Sequence, residues 1–222
     1  RVLVPLEHIV KVKLLENHVE CFGTNLTQND NIDYTLHPGS YSFFSWTGAK
    51  LSLQGKTTIC YISNDSSLPI YANIHCELNK DRFNSVQKHI GPVTMVLGDT
   101  DIGKTSFLQT LSHWSLRSGW SPIFVDLNID NPTCSLPGTI SACPIQIQSE
   151  PSRLNRIAPS IPLTYFYGHT DLNTNPSLFV RQCHSLSEAI TQRIMSQQSQ
   201  KIDYPGLPSA VPPAELPSVY LK

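Results

Sequence analysis

The chain has 222 residues, of which 40% are hydrophobic and 15% are charged, and its formal net charge is −1. This composition is typical of a globular protein with one large or two small domains. The near-neutral charge excludes a broad basic surface for nucleic acid and leaves only a local basic groove open. Since no apolar run is as long as a membrane span and no signal peptide is visible, the sequence predicts no membrane association.

The first third of the chain has the pattern of a small all-β domain. Val10, Val12 and Leu14 alternate with Lys11 and Lys13, which predicts a strand with one buried and one solvated face. Five more strands are expected, over 19–22, 41–46, 49–53, 57–62 and 70–74. Short strands at this spacing favour an N-terminal all-β sandwich over residues 1–75.

The middle of the chain has the pattern of an α/β domain. Residues 76–90 are polar and are predicted to form a linking helix, and an α/β domain is expected over 91–200. Its predicted strands are 93–97, 123–126 and 163–167, and its predicted helices are 107–116 and 177–196. Strands that alternate with helices predict a mostly parallel sheet, covered on both faces. Because three strands are few for such a domain, we expect the chain to be part of a longer protein.

Residues 201–222 are rich in proline. The prolines are Pro205, Pro208, Pro212, Pro213 and Pro217. Since proline has no backbone N–H and a fixed φ, this segment is predicted to be an extended tail without a regular helix or a central strand.

Residues 98–106 match the phosphate-loop pattern G-x-x-x-x-G-K-[ST] at every required position. In this pattern backbone N–H groups cradle phosphate oxygens, Lys104 reaches the β- and γ-phosphates, and the Thr105 hydroxyl binds magnesium. The predicted flanking strand and helix favour this interpretation over a chance glycine–lysine turn. ATP and Mg²⁺ are therefore the expected ligands. The candidate nucleotide-binding residues here are Gly98, Asp101, Ile102, Gly103, Lys104, Thr105 and Ser106.

Two acidic residues stand at the end of the next predicted strand, 123–126, and just after it. Asp126 stands at the end of that strand, where P-loop proteins place a carboxylate beside the metal. It is a candidate catalytic residue and metal ligand, with a solvated strand-end acid as the alternative. Asp130 is a second catalytic candidate, with a turn former before Asn131-Pro132 as the alternative. Asp101 inside the loop either contacts substrate or stabilises the turn.

Several motifs in unbroken order resemble those of one family. They are 20–26 (ECFGTNL), 46–55, the phosphate loop, 124–128 (FVDLN), 136–142 (LPGTISA) and 165–170 (YFYGHT). Together they are similar to the polyribonucleotide 5′-hydroxyl-kinase family, which includes the P-loop subunit of the eukaryotic pre-mRNA cleavage and polyadenylation machinery. The resemblance covers roughly residues 9–195.

The resemblance implies a β-sandwich that helps to hold adenine, a P-loop kinase domain and a C-terminal domain. Active members phosphorylate the 5′-hydroxyl of RNA with ATP and Mg²⁺. They carry an acid–x–Asp pattern at the end of this strand, in which Asp126 matches the first acid and the second acid serves as the base. Asn128 stands at that position here, and an amide cannot take the proton. Ser40 occupies the place of a nucleotide contact in the N-terminal domain, and His169 and Thr170 match the substrate-facing segment.

Two functions stay open. In the first, the chain is an ATP-binding subunit of mRNA 3′-end cleavage and polyadenylation, weak or inactive as a kinase. In the second, it is an active ATP-dependent RNA 5′-hydroxyl kinase of RNA or tRNA processing. Both imply a nuclear protein, whose partners are subunits of the cleavage and polyadenylation machinery, with RNA as a further partner.

Overall fold

Short antiparallel strands build the first part of the molecule. The computed structural model describes residues 1–28, 33–85, 91–145, 161–199 and 219–221. The strands of this part are β1 (Val2–Val4), β2 (Val10–Glu16), β3 (Val19–Cys21), β4 (Thr24–Leu26), β5 (Tyr34–Leu36), β6 (Gly39–Tyr41), β7 (Phe43–Phe44), β8 (Lys50–Gln54) and β9 (Ile59–Cys60). They pair in three antiparallel sheets, with the orders β6-β1-β9, β5-β2-β8 and β4-β3-β7.

Alternation along β2 creates the core of this part. Val10 and Val12 are completely buried, whereas Lys11 between them is exposed, as the sequence pattern predicts. The apolar faces of the sheets meet in one cluster. It includes Val2, Val4, Leu14, Val19, Cys21, Leu26, Tyr34, Leu36 and Tyr41.

The connection between the two parts is one long helix, α1 (Leu68–Asn84). The predicted strand over 70–74 is therefore wrong, because these residues are helical, and the predicted linking helix begins earlier than residue 76. Ser66 Oγ accepts a hydrogen bond from the Leu68 N–H at 3.2 Å, and a proline lies in the first turn, where it is tolerated. Residues 86–90 of the predicted helix lie outside the described residues.

The second part contains a five-stranded sheet with helices on both faces. Its elements are β10 (Val93–Met95), α2 (Lys104–Arg117), β11 (Ile123–Asp126), β12 (Thr139–Pro144), β13 (Leu163–Phe166), a 3-10 helix (Leu172–Thr174), α3 (Pro176–Ser199) and β14 (Val219–Leu221). The strand order is β10-β14-β11-β12-β13.

The sheet is mixed in direction. β14 is parallel to both β10 and β11, whereas β12 is antiparallel to β11 and to β13. The mostly parallel sheet expected from the sequence is therefore not confirmed. The loop between β11 and β12 returns the chain directly to the neighbouring position without a crossover helix, and a direct return makes the two strands antiparallel.

The last described residues correct the prediction for the proline-rich segment. Val219–Leu221 form β14, which is an interior strand of the sheet and pairs on both sides. A proline excludes a central strand only at its own position, and this strand starts two residues after Pro217. The predicted extended conformation of 201–218 lies outside the described residues.

Side chains of β11 point alternately to two clusters. Ile123 and Val125 pack with Leu186 and Ile194 of α3 on one face. Phe124 packs on the other face with residues of α2, including Leu108 and Leu111. α1 also lies on this second face, where Tyr71 makes an edge contact with the Phe107 ring at a centroid distance of 4.6 Å. These contacts hold α2, and with it the phosphate loop, against the sheet.

Candidate nucleotide-binding site

The phosphate loop connects the end of β10 to the start of α2. Gly103 has φ +91°, a left-handed conformation that favours glycine, and it directly precedes the first residue of α2. The Phe107 N–H donates to the Gly103 carbonyl oxygen at 3.0 Å. No side chain caps this helix start, so its first N–H groups are available to an anion.

Lys104 lies across the loop. Its Nζ donates to the carbonyl oxygens of Gly98, at 2.8 Å, and of Asp99. None of the ion pairs among the described residues includes Lys104. Among the described residues, its Nζ contacts these two main-chain oxygens, and a phosphate is a stronger acceptor than such neutral carbonyl groups.

The other predicted loop residues are close in sequence to this lysine and differ in exposure. Asp101 is exposed and has φ +63°, and Ile102 is 62% exposed. Thr105 and Ser106 lie in the first turn of α2 and are half-buried. The uncapped helix start, the left-handed glycine and the lysine at the first position of α2 together fit a bound phosphate.

Asp126 is completely buried at the end of β11. Its Oδ1 accepts the Asn128 N–H at 3.1 Å, and its Oδ2 accepts the Thr133 N–H. One carboxylate thus holds both sides of the loop that follows the strand. The sequence did not predict the part played by Thr133, because a main-chain donor leaves no signal in residue type.

Asn128 closes a turn within that loop. Its Nδ2 donates to the Asn131 carbonyl oxygen at 3.2 Å, and its Oδ1 accepts the Asp130 N–H at 3.4 Å. The Asp130 side chain is exposed. The turn-former alternative for Asp130 therefore has direct support from its main chain, whereas its carboxylate stays free to face solvent.

The candidate residues lie along one edge of the sheet. β10 and β11 run parallel to β14, so the end of β10 before the phosphate loop and Asp126 share an edge. One strand, β14, separates them, which corresponds to roughly 10 Å between β10 and β11. Because β12 is antiparallel, its first residue, Thr139, also lies at this edge, paired with Phe166 at the end of β13.

A cavity of about 340 Å³ opens at the far end of this edge. Its lining residues are Pro137, Gly138, Phe166, Gly168, His169, Thr170, Asp171 and Thr174. The Gly138 carbonyl oxygen accepts the N–H groups of Tyr167 and Gly168 at 2.8 and 2.9 Å, and its own N–H donates to the Ile129 carbonyl oxygen at 2.7 Å. The loop after β11 and the loop after β13 are thus joined at Gly138.

The structure brings some predicted residues together and not others. His169 and Thr170 are exposed and share this cavity. They follow β13, which is four strand positions from β10, or roughly 19 Å. Ser40 lies in β6, where its Oγ accepts a hydrogen bond from Arg1 Nε at 3.0 Å. Within the described residues, no hydrogen bond joins Ser40 to the phosphate loop.

A contact between the two parts of the molecule was not predicted. Trp114 Nε1 on α2 donates to Glu20 Oε2 at 2.9 Å, and Arg117 NH1 lies 3.3 Å from the same oxygen. His113 Nδ1 donates to the Phe22 carbonyl oxygen at 2.7 Å, and burial lowers the pKa of this histidine. The hairpin β3–β4 therefore holds the same helix that carries the phosphate loop. The signal that the sequence offered for this contact was an acidic residue, Glu20, within the predicted strand 19–22.

A glycine loop before an uncapped helix with a lysine at its start defines a P-loop protein. A family model described as "mRNA cleavage and polyadenylation factor CLP1 P-loop" matches residues 98–206. A second, the "N-terminal beta-sandwich domain of polyadenylation factor", matches residues 1–85. The chain therefore belongs to the CLP1 family of polyadenylation factors. These matches confirm the family resemblance and the β-sandwich followed by a P-loop domain.

Relatives with assigned names agree with this family. The protein named "Protein CLP1 homolog" from Dictyostelium discoideum is 38% identical over 196 residues, which cover 86% of this chain and 41% of that protein. "Polyribonucleotide 5'-hydroxyl-kinase Clp1" from Danio rerio is 33% identical over 186 residues, which cover 83% of this chain and 41% of that protein. The chain thus spans about two fifths of the length of these relatives.

Solved structures agree with the fold. A structure that describes an extended interface between Pcf11p and Clp1p matches with a TM-score of 0.73 and 20% identity, over 99% of this chain and 51% of that chain. A wild-type Clp1p–Pcf11p complex matches with a TM-score of 0.70 at the same identity and coverage. None of the described helices of this chain is long and apolar enough to cross a membrane.

Proposed function

We propose that this chain is the nucleotide-holding part of a nuclear subunit of the mRNA 3′-end cleavage and polyadenylation machinery, and that it is weak or inactive as an RNA kinase. One observation carries the proposal. Asn128, at the position expected for the catalytic base, uses both polar atoms of its side chain to close its own turn. An amide in this arrangement positions the loop and accepts no proton from a substrate hydroxyl.

Asp126 does not replace the missing base. Both of its oxygens accept main-chain N–H groups, and the side chain is completely buried at the strand end. A base must come within hydrogen-bond distance of the hydroxyl that it deprotonates. The buried carboxylate instead fixes the loop, from a position that suits the shell of a metal ion.

The phosphate loop suits tight holding of a nucleotide. Lys104 and the first N–H groups of α2 would hold the phosphates of ATP, with Thr105 and Asp126 on the side of Mg²⁺. A bound Mg²⁺ would supply neutralisation of phosphate charge there. A ligand that binds only the folded state stabilises it by mass action, so ATP has a structural use without turnover.

The alternative function, RNA 5′-hydroxyl kinase, is supported by a different pair of features. Asp130 presents an exposed carboxylate two residues after Asn128. The cavity that contains His169 and Thr170 opens at the same sheet edge as the phosphate loop and could receive the end of an RNA strand. In this alternative Asp130 would be the base.

The partners follow from the family. The two solved relatives named above are complexes of Clp1p with Pcf11p, which supports a protein subunit of the cleavage machinery as the partner of this chain. RNA is a further partner in both functions. We propose a nuclear location together with this function.

Nucleotide binding is tested by thermal unfolding with and without ATP and Mg²⁺. At a free ATP concentration about 100 times its Kd, we expect stabilisation of about 2.7 kcal/mol, seen as a higher melting temperature. Lys104→Ala should remove the shift, whereas Lys50→Ala, an exposed lysine in the N-terminal domain, should retain it. An unchanged melting temperature in the wild-type chain would contradict nucleotide binding.

Catalysis is tested with a 5′-hydroxyl RNA oligonucleotide and ATP labelled at the γ-phosphate. We expect no transfer by the wild-type chain and a gain of transfer by Asn128→Asp, because this change restores a carboxylate at the position of the base. Asn131→Asp, the same substitution three residues further on, is the matched control and should stay inactive. Wild-type transfer that disappears in Lys104→Ala would favour the kinase.

A further inference from the structure

Two cysteines of the P-loop domain lie in direct sulfur contact. Cys143 is on β12, and Cys134 is in the loop between β11 and β12. The Cys143 thiol donates to Cys134 Sγ at an Sγ–Sγ distance of 2.9 Å. Both are free thiols. This separation is well below the 3.5–4.0 Å typical of non-bonded contacts between heavy atoms.

The two thiols differ in access to solvent. Cys143 is completely buried, whereas Cys134 is half-buried. Both belong to the cluster that packs Leu108 and Leu111 of α2 on the sheet. A dissolved oxidant therefore reaches Cys134 first, and Cys143 is held behind it.

A metal ion is the less suitable ligand for this pair. Among the described residues no group of three or more histidine, cysteine or acidic side chains could hold a metal, and structural zinc sites use four protein ligands. Two thiols without further ligands fit a disulfide, because formation of the bond needs the sulfur atoms to approach by only about 1 Å.

We propose that Cys134 and Cys143 form a reversible disulfide, and that low-molecular-weight disulfides of the glutathione type are the oxidant. The Cys134 thiolate attacks one sulfur of the oxidant and releases one thiolate, which leaves a mixed disulfide on Cys134. Cys143 loses its proton and attacks Cys134 Sγ, which releases the second thiolate. Two protein thiols are oxidised, and one small disulfide is reduced to two thiols.

The order of these steps agrees with the surroundings of Cys143. The hydrogen bond with Cys134 raises the pKa of the Cys143 thiol, and burial and the nearby charges of Cys134 and Asp126 raise it further. Once Cys134 carries a mixed disulfide, its sulfur has no negative charge, so it no longer raises the pKa of Cys143 in this way. Cys143 is thus a poor first nucleophile and becomes a better one at the second step.

The disulfide would fix the loop after β11. Thr133, next to Cys134, donates its N–H to Asp126, and Asn128 closes its turn in the same loop. A bond from Cys134 to the paired strand β12 closes a short ring around this segment. Such a ring restricts the unfolded chain and raises the stability of the folded domain.

The test uses the full chain, treated with oxidised glutathione, then alkylated and digested with trypsin. Trypsin cleaves after Arg117 and Arg153, and the peptide between these sites contains only two cysteines, Cys134 and Cys143. We expect this peptide to lose the mass of two hydrogen atoms and to escape alkylation. We also expect a reversible rise in melting temperature of roughly 5 °C.

Two variants complete the test. Cys76→Ala removes an exposed cysteine elsewhere and should leave both results unchanged, whereas Cys134→Ser should abolish both. In the folded wild-type chain, a doubly alkylated peptide, or a glutathione adduct that persists on Cys134, would overturn the proposal. A disulfide without a rise in melting temperature would overturn its effect on the loop.

Discussion

Gly23 is the residue at which the β3–β4 hairpin comes closest to the helix of the phosphate loop. It has φ +80°, and a Cβ atom there would lie 2.7 Å from the Thr110 carbonyl oxygen on α2. That oxygen belongs to a helix backbone and cannot rotate away. The hairpin can therefore lie against α2 only if this residue has no side chain.

We predict that Gly23→Ala destabilises the chain by about 1–3 kcal/mol more than Gly48→Ala. Gly48 is the matched control because it has φ +78° and nothing within 4 Å of the added methyl group. Both variants carry the cost of the left-handed conformation, and only the first adds a clash with backbone. Urea unfolding of the two variants measures the difference, and equal free energies of unfolding would contradict the close approach.

A single residue can be predicted from sequence when a motif requires its residue type at a fixed spacing. The phosphate loop could be predicted because its glycines and Lys104 are required by type and spacing. The role of Gly23 could not, since its neighbour Thr110 is far away in sequence and acts through its backbone. The same holds for Thr133, which binds Asp126 through its N–H.

The contact of α2 with the N-terminal domain depends on one buried carboxylate. Glu20 is 6% exposed, and its Oε2 accepts the indole N–H of Trp114 at 2.9 Å. Arg117, one turn further along α2, shares that oxygen at 3.3 Å. Two side chains of one helix therefore converge on one strand of the sandwich.

We expect a double-mutant cycle of Glu20→Ala and Trp114→Phe to give a coupling energy of about 1–2 kcal/mol. Glu20→Ala leaves the buried indole N–H without this acceptor, and Trp114→Phe removes one of the two donors to Glu20 Oε2. The control cycle uses the exposed pair Glu16 and Lys50, whose ions lie 3.2 Å apart. Exposed pairs contribute about 0.5 kcal/mol. Chemical denaturation of all variants provides the energies, and a coupling no larger than the control would show that the indole bond is not needed.

Elements were predictable where periodicity and length agree. The helix after the phosphate loop follows from apolar residues that recur at helical spacing over 107–116. The strand Ile123–Asp126 follows from its place after that helix in an α/β unit. Residues 70–74 are a short, largely apolar run, which does not distinguish a strand from a helix, and the structure makes them helical. β12 escaped prediction because Thr139–Pro144 is buried on both faces and lacks alternation.

In the whole molecule, the sheet depends on a strand that lies far away in sequence. β14 pairs with β10 at Val93–Met95 and with β11 at Ile123–Val125. It thus connects the strand of the phosphate loop to the strand of Asp126. No local pattern could have predicted this arrangement, since pairing over such a separation depends on the rest of the fold.

We predict that Tyr220→Pro destabilises the P-loop domain by about 3 kcal/mol or more. The reason is that proline removes a backbone N–H from a strand that pairs on both sides. Tyr220→Ala keeps the backbone donor and separates the loss of the side chain from the loss of the hydrogen bond. The melting temperatures of the two variants provide the measurement. Equal melting temperatures of the two variants would contradict the pairing of Val219–Leu221 with strands on both sides.

The interior position of β14 also has a consequence for synthesis. During translation, β10 and the phosphate loop leave the ribosome well over one hundred residues before Val219–Leu221. Throughout that interval β10 lacks β14, which is its one partner among the described strands, and the free sides of β10 and β11 are exposed to non-native pairing. The nascent chain therefore completes this sheet late, and a chaperone that shields these strands would have most to contribute between the synthesis of β11 and that of β14.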